Sequence, residues 1–231
     1  MSVRGGGSSL IRDHWNVRII SLEVFQMKKH VMLTALMGMT LCAGTSFASP
    51  ATNYAPGAVT VEAGINAAPS MKVGDADGDD KSRPYAGVTV GLGSNFALQY
   101  KYSDNKVNDI DGSGFHAGMK TQEYNVAYQA GPNTYVYAGD MSCKGTGVLS
   151  SSSDDRFQVG VRYDAPAGDK TNWWVGGAVG DSLWHAEIGA SYAVAPNVDW
   201  DLSYQYTQVN DYHDVVDVKT QGLYTGLTFK L

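Results

Sequence analysis

The chain has 231 residues and a formal net charge of −6 at pH 7, with 27 glycines, 14 tyrosines and only 17% charged residues. It has no basic stripe that could neutralise phosphates, so we exclude a nucleic-acid-binding function. Gly, Tyr, Val, Thr and Ala dominate short runs separated by Asn, Asp, Gly and Pro, which predicts an all-β protein.

The beginning of the chain predicts a secretory leader that starts at Met27 rather than at the first residue. Met27 is followed by basic residues, an apolar run too short to cross a bilayer, and small residues up to Ala48. We therefore expect a signal peptide over residues 27–48, cleaved between Ala48 and Ser49. Residues 1–26 show no pattern that would fold, and we interpret them as an extension upstream of the true start. An unusually long basic region before the signal is the alternative.

Cleavage of this leader would leave one domain, residues 49–231. Cys42 falls within the leader, so Cys143 would be the one thiol of the mature protein, which excludes an internal disulfide. We expect Cys143 to be a bystander rather than a reactive group.

Ten segments of the mature chain alternate apolar and polar residues with a period of two, the pattern of strands that have one face of each kind. They are residues 59–66, 86–92, 96–103, 123–129, 135–137, 156–164, 173–179, 184–194, 198–206 and 223–231. The fifth segment is short and the seventh is glycine-rich with an ambiguous phase. Without these two the count falls to eight.

The connections between the segments alternate in length. Tight turns are predicted at residues 93–95, 131–133, 166–170 and 196–197. Long polar loops are predicted at residues 69–84, 104–119, 142–155 and 208–219. The link at residues 180–182 breaks the rule by being short. Short turns on one side and long loops on the other are typical of outer-membrane barrels, in which an even strand count puts both termini in the periplasm.

Two further features favour a membrane barrel over a soluble sandwich. We expect strands of about 9–13 residues, which match a tilted membrane crossing and exceed the usual strand of a soluble protein. Aromatic residues lie at the ends of the apolar faces, where a girdle would meet the membrane interface: Tyr100, Tyr102, Tyr128, Tyr163, Trp184, Trp200 and Tyr206. A free sheet edge is not tolerated in hydrocarbon. We therefore predict a closed, antiparallel, up-and-down transmembrane β-barrel of ten strands, with eight strands as the alternative.

The closing segment YTGLTFKL is similar to the signal that barrel-assembly machinery reads, with Tyr224, Gly226, Phe229 and Leu231 as the signal residues. Together with the strands and turns, it makes the chain from Ala58 onward resemble the small bacterial outer-membrane β-barrel superfamily of porin-like and surface-protein barrels. Many members end in Phe or Trp, whereas this chain ends in Leu.

The resemblance implies that the protein lies in the bacterial outer membrane, with outer-membrane lipid and the assembly machinery as its partners. It implies no cofactor. The oligomeric state is left open by the sequence, and we expect a monomer.

If the apolar faces meet lipid, the opposite faces line the interior of the barrel. The candidate lumen-lining residues are Glu62, Lys101, Glu123, Arg156, Arg162, Asp164, Glu187, Asp199, Asp201 and Lys230. A barrel of this size is largely filled by side chains, whereas wide aqueous pores need about 16 strands. We therefore predict an ion-paired, mostly filled lumen, and a structural or surface-interaction role with at most a narrow channel. The alternative is a small passive porin with Arg156 and Arg162 facing acidic residues at a constriction.

Two acidic segments, residues 75–80 and 109–114, are similar to the first half of a calcium-binding loop. The closing position of that loop requires a Glu, but Ala86 and Lys120 occupy it here. We therefore predict solvated surface loops and no metal site.

An enzymatic alternative is a protease of the omptin family, whose ten-stranded members use an Asp-x-His pair and an Asp pair at the outer mouth. Asp211 and His213 could supply the first pair, and Asp77 and Asp79 the second. The mature chain is much shorter than an omptin, and Asp-x-His arises easily by chance in an acidic loop. We therefore predict that the protein is not an enzyme.

Overall fold

The computed structural model describes residues 54–149 and 153–231, all within the unit formed by residues 42–231. The predicted extension at residues 1–26, the signal peptide and its cleavage site at Ala48 and Ser49 lie outside the described residues.

Ten long strands follow one another in the described part of the chain. They are β1 Val59–Val73, β2 Arg83–Gly93, β3 Phe96–Asn108, β4 His116–Gly131, β5 Thr134–Gly147, β6 Ser153–Pro166, β7 Thr171–Gly180, β8 Leu183–Ala195, β9 Val198–Tyr212 and β10 Val216–Lys230. A two-residue strand, Asp79–Asp80, pairs with the end of β3, and a 3-10 helix, Ile110–Gly112, lies between β3 and β4. Within the described ranges, no helix is long and apolar enough to cross a membrane.

Each strand pairs antiparallel with its neighbours along the chain, and β1 also pairs with β10. The register between these two strands runs from Thr60 opposite Lys230 to Val73 opposite Val218. The sheet therefore closes on itself as a ten-stranded, up-and-down antiparallel barrel. The ten-strand prediction is confirmed, and the eight-strand alternative is wrong, because the weak fifth and seventh segments form complete strands.

The two ends of the barrel differ. The end that carries Leu231 and the tight turns is called the turn end; there Ser94 and Asn95 both have positive φ (51° and 68°), the geometry that short hairpin turns require. The opposite end, called the rim end, carries the connections that follow β1, β3, β5, β7 and β9.

The loops at the rim end are shorter than predicted. β1 continues to Val73, β3 to Asn108, β5 to Gly147 and β9 to Tyr212, so much of each predicted loop is strand. The reason is an inversion of polarity along β1, β3, β5 and β9, the four strands that extend into the predicted loops. Near the rim the inward residues are apolar and the outward residues are polar, as in a soluble protein, whereas the opposite holds lower down.

The middle of the outer face is apolar. Val161, Val179 and Ile188 are 50%, 67% and 57% exposed, and neighbouring strands present further large apolar side chains. Aromatic rings flank this belt. Trp184 packs on Tyr206 toward the rim (centroids 4.6 Å apart), and Tyr163 on Trp173 toward the turn end (5.7 Å).

Candidate functional site in the barrel lumen

The inward residues at mid-height are charged, because strand alternation sends them to the face opposite the apolar belt. Six of the predicted lumen residues line one cavity of about 70 Å³: Glu62, Lys101, Glu123, Arg162, Glu187 and Asp201. A cavity of this size holds only a few water molecules.

Arg162 is the best-connected cation of this layer. Its Nε donates a 2.6 Å hydrogen bond to Asp164, and its Nη1 lies 3.6 Å from a carboxylate oxygen of Glu187. The guanidinium also lies over the ring of Trp174, 4.6 Å from the centroid. All four side chains are buried, so the surrounding carboxylates and ring replace the hydration of the guanidinium.

A second charged group lies toward the turn end. The ammonium of Lys230 is 2.6 Å from a carboxylate oxygen of Asp199. Thr228 is the cross-strand partner of Asp199, and its hydroxyl donates a 2.5 Å hydrogen bond to Oδ2 of Asp201.

Hydrogen bonds between inward side chains pass over intervening strands of the barrel wall. Gln158 Nε2 donates to Glu123 Oε2 (3.1 Å) and to Asn125 Oδ1 (3.0 Å), passing over β5. Gly139 makes this crossing possible, because a Cβ there would collide with Asn125. Asn66 Nδ2 likewise donates to Asn105 Oδ1 (3.2 Å) over β2.

A layer of buried apolar side chains closes the rim end. This layer, called the rim plug, consists of Met71, Val107, Ala117, Met119, Met141, Cys143, Leu149, Leu183, Val209, Tyr212 and Val218. The hydroxyl of Tyr212 accepts a 2.7 Å hydrogen bond from the backbone N–H of Gly145, which fixes the largest side chain of the plug.

A smaller aromatic cluster, called the turn-end plug, closes the other end. It consists of Tyr54, Ala97, Ala127 and Tyr135, with Tyr137 packed against it. The rings of Tyr54 and Tyr135 stack with centroids 5.4 Å apart. The segment before β1 therefore folds inward and contributes to the closure.

Arg156 lies at the rim rather than in the wall of the cavity. Its guanidinium contacts the carboxylate of Asp154 (2.6 Å) and the backbone carbonyls of Asp181 (3.0 Å) and Asp211 (3.1 Å). Arg156 therefore joins the short β7–β8 link to the end of β9.

The wall of the cavity also contains residues that the sequence analysis does not name as lumen candidates, among them the aromatic residues Tyr85, Trp174 and Tyr224. Their signal was present, because each occupies an inward position in the same alternation. Tyr224 had been assigned to the assembly signal instead.

The predicted assembly-signal residues divide between the two faces of β10. Tyr224 is buried in the lumen, where its hydroxyl donates to Asn105 Oδ1 (3.4 Å). Gly226 faces the same way and lies beneath the Tyr85 hydroxyl. Phe229 and Leu231 are 38% and 76% exposed.

The acidic loop segments form internal contacts. Lys72 lies 3.1 Å from the carboxylate of Asp77, and this contact, together with the Gly78 N–H, lowers the pKa of Asp77. Asp109 Oδ1 accepts a 2.8 Å hydrogen bond from the Gly114 N–H. Within residues 54–149 and 153–231, no group of three His, Cys, Asp or Glu side chains is arranged to hold a metal ion.

Backbone N–H groups of the Asp-x-His segment, residues 211–213, donate hydrogen bonds to carboxylates at the rim end. The N–H of His213 donates to Asp154 Oδ2 (3.3 Å), and the N–H of Asp211 donates to Asp217 Oδ1 (3.1 Å). Asp77 contacts Lys72 and Asp111. These contacts stabilise the rim connections.

No protein-family model matches the chain, and no curated protein matches it. Solved structures do resemble it. They include Neisserial surface protein A (16% identity, TM-score 0.45, covering 75% of this chain and 96% of that one) and the attachment invasion locus protein Ail of Yersinia pestis (13%, 0.37, 75% and 99%). The outer membrane protein OprG of Pseudomonas aeruginosa is a third (11%, 0.38, 76% and 96%). These neighbours are small bacterial outer-membrane β-barrels, and the likeness concerns the fold alone.

Proposed function

We propose that this chain is a bacterial outer-membrane β-barrel with a structural or surface-interaction role, and that its lumen is closed to free diffusion. The observation that carries the proposal is the pair of plugs above and below the charged layer. The rim end would face the outside of the cell and the turn end the periplasm.

The outer face supports a position in a membrane. Side chains such as Val175, Val194 and Leu227 would be costly to expose to water around the whole circumference, and monomeric soluble proteins rarely show so large an apolar patch. Aromatic rings at both borders of the belt are typical of barrels that meet two membrane interfaces. Export would use the predicted signal peptide.

The interior supports a closed lumen. The residues of the rim plug are at most 6% exposed, and three of them are methionines, which fill irregular space well. Beneath them lie cavities of about 70 Å³ and 20 Å³, whose walls are joined by ion pairs and hydrogen bonds. A solute would have to displace both plugs and this network.

The rim supports a role outside the membrane. The strands continue above the belt with polar outward residues, and three apolar side chains lie exposed in the connections beyond them. These are Phe115, Val148 and Val215, which are 62%, 53% and 83% exposed. In the proposed surface-interaction role, these side chains would be contacts for a partner.

A narrow channel is the second candidate, favoured by the charged cavity on the barrel axis. Recording current across planar lipid bilayers separates the two. We expect no openings of defined size from the wild type, with its slower gel migration after heating as the check that the barrel is folded. Openings whose ion selectivity changes in Glu187→Gln would come from the lumen and would reject the closed-lumen proposal.

A further inference from the structure

We propose that the lumen cavity is a binding site for a small primary ammonium ion, held at the corner formed by Asp201 and Glu62. This site does not depend on the role proposed for the rim, because a barrel that does not conduct can still hold a ligand in its interior.

The first observation is the charge of the cavity wall. Four carboxylates line it, those of Glu62, Glu123, Glu187 and Asp201, against two cations, Lys101 and Arg162. Carboxylates therefore outnumber the Lys and Arg cations of the wall by two. Arg162 is also shared with Asp164, which lies outside the cavity. Excess charge enclosed between two plugs is unfavourable unless an opposite charge accompanies it.

The second observation identifies the corner where a cation is missing. Asp201 is only 8% exposed; its Oδ2 accepts from Thr228, whereas its Oδ1 has no hydrogen-bond partner among the described residues. Glu62 lies next to this carboxylate, because Thr228, which donates to Asp201, is the cross-strand partner of Glu62 in the pairing of β1 with β10. Lys230 pairs with Asp199, and among the described residues neither Asp201 nor Glu62 forms an ion pair within 4 Å.

The wall of this corner suits an organic cation. The ring of Tyr85 lies over Gly64 and Gly226, where a side chain on either glycine would collide with it. Tyr224 meets Tyr85 edge to face, with centroids 5.5 Å apart. Aromatic rings beside carboxylates are favourable surroundings for an ammonium group.

The same geometry disfavours a bound metal ion. Within the described ranges, no three acidic, His or Cys side chains are arranged to ligate one centre. Calcium needs about 6–8 oxygen ligands at close range. A primary ammonium group instead donates three hydrogen bonds, which match Asp201 Oδ1 and the Glu62 carboxylate. The cavity volume of about 70 Å³ limits the ligand to a few heavy atoms.

The test uses methylammonium chloride as the probe, with tetramethylammonium chloride at equal concentration as the control, because the latter is bulkier and has no N–H donor. The mature barrel is refolded into detergent micelles in the presence of each salt, so that entry through the plugs is not limiting. Thermal unfolding is then followed by tryptophan fluorescence. We expect a saturable rise in Tm with methylammonium alone, since a ligand that binds only the folded state stabilises it.

The matched variants are Asp201→Asn, which removes the charge with little change in shape, and Asp169→Asn, which makes the same change in an exposed turn. Asp201→Asn should weaken methylammonium binding at least tenfold, whereas Asp169→Asn should leave it unchanged. If Asp201→Asn does not fold, as judged by gel migration before heating, Glu62→Gln replaces it with the same expectation. Equal shifts with both salts, no saturable shift, or a shift retained in the lumen variants would overturn the proposal.

Discussion

The guanidinium of Arg162 donates a 2.6 Å hydrogen bond to Asp164, two residues further along the same strand, and both side chains are buried in the lumen. Residues two apart share one face of a strand, so this pair is built into the local sequence of β6. Glu187 reaches the same guanidinium from β8. The charge of Arg162 is therefore balanced by two carboxylates, one from its own strand and one from β8. None of these three side chains can be removed without consequence.

Replacing Arg162 with Met should destabilise the barrel by about 3–5 kcal/mol, because Asp164 and Glu187 would remain buried without their shared cation. Urea unfolding in micelles, followed by tryptophan fluorescence, measures the change. Lys170→Met is the control, since Lys170 is exposed in the β6–β7 turn and its loss should cost no more than about 0.5 kcal/mol. Similar losses in the two variants would argue against a structural role for the buried pair.

Tyr212 should be the residue of the rim plug most sensitive to truncation. Tyr212→Phe leaves the Gly145 N–H without its acceptor and should cost about 1–3 kcal/mol. Tyr212→Ala also leaves a cavity in the plug and should cost about 3–5 kcal/mol. The same urea titration measures both variants.

The control for the hydroxyl of Tyr212 is Tyr204→Phe. The Tyr204 hydroxyl donates to the Gln221 side chain on the outer face, so its removal leaves no buried backbone N–H without an acceptor. Its removal should have little effect. If Tyr204→Phe costs as much as Tyr212→Phe, the hydrogen bond to Gly145 has no special part in closing the rim.

The barrel and its strand number could be predicted because period-two alternation is a local property of the sequence. The segment at 173–179 is glycine-rich, yet its tight spacing between two turns sufficed to place β7. The inward charges followed from the same alternation. The contacts between these inward side chains could not be predicted in this way. Nothing in the local sequence indicates that Gln158 reaches Glu123 over β5, because that contact depends on the register of three strands.

The rim plug could not be found by searching for an apolar outer face, because the polarity of the strands inverts above the belt. In β3, Tyr100 and Tyr102 face outward, but beyond them the buried apolar residue is Val107, which faces inward. The neighbouring residue Lys106 faces outward, and in the sequence a lysine at this position suggests a loop rather than a strand. The missed signal was alternation in the opposite phase, as at Met119 between Gly118 and Lys120.

Cys143 should be unreactive in the folded barrel, because it is fully buried in the rim plug. A maleimide reagent should label the native protein far more slowly than the protein in urea, with mass spectrometry as the readout. The matched control is Lys144→Cys in a Cys143→Ala background, since Lys144 is exposed on the outer face. Equally fast labelling of the two thiols in the native state would show that the rim end is open.

Gly64→Ala should interfere with closure of the barrel at the pairing of β1 with β10. A Cβ at this position would collide with the backbone carbonyl of Thr225 and would lie 2.6 Å from the Cα of Gly226 and from the ring of Tyr85. Overpacking of this kind costs about 1–3 kcal/mol, and here the backbone itself would have to move. We expect slower refolding, a smaller fraction that shows heat-dependent gel migration, and a lower urea midpoint.

Gly131→Ala is the matched control, because the nearest atom to its added Cβ would be 3.9 Å away, in Thr134. The double variant Gly64→Ala with Tyr85→Ala separates the two sources of crowding. Removing the ring leaves the carbonyl of Thr225 in place, so the double variant should not recover wild-type refolding. Full recovery would mean that Gly64 is required by the Tyr85 ring rather than by the close approach of the two closing strands.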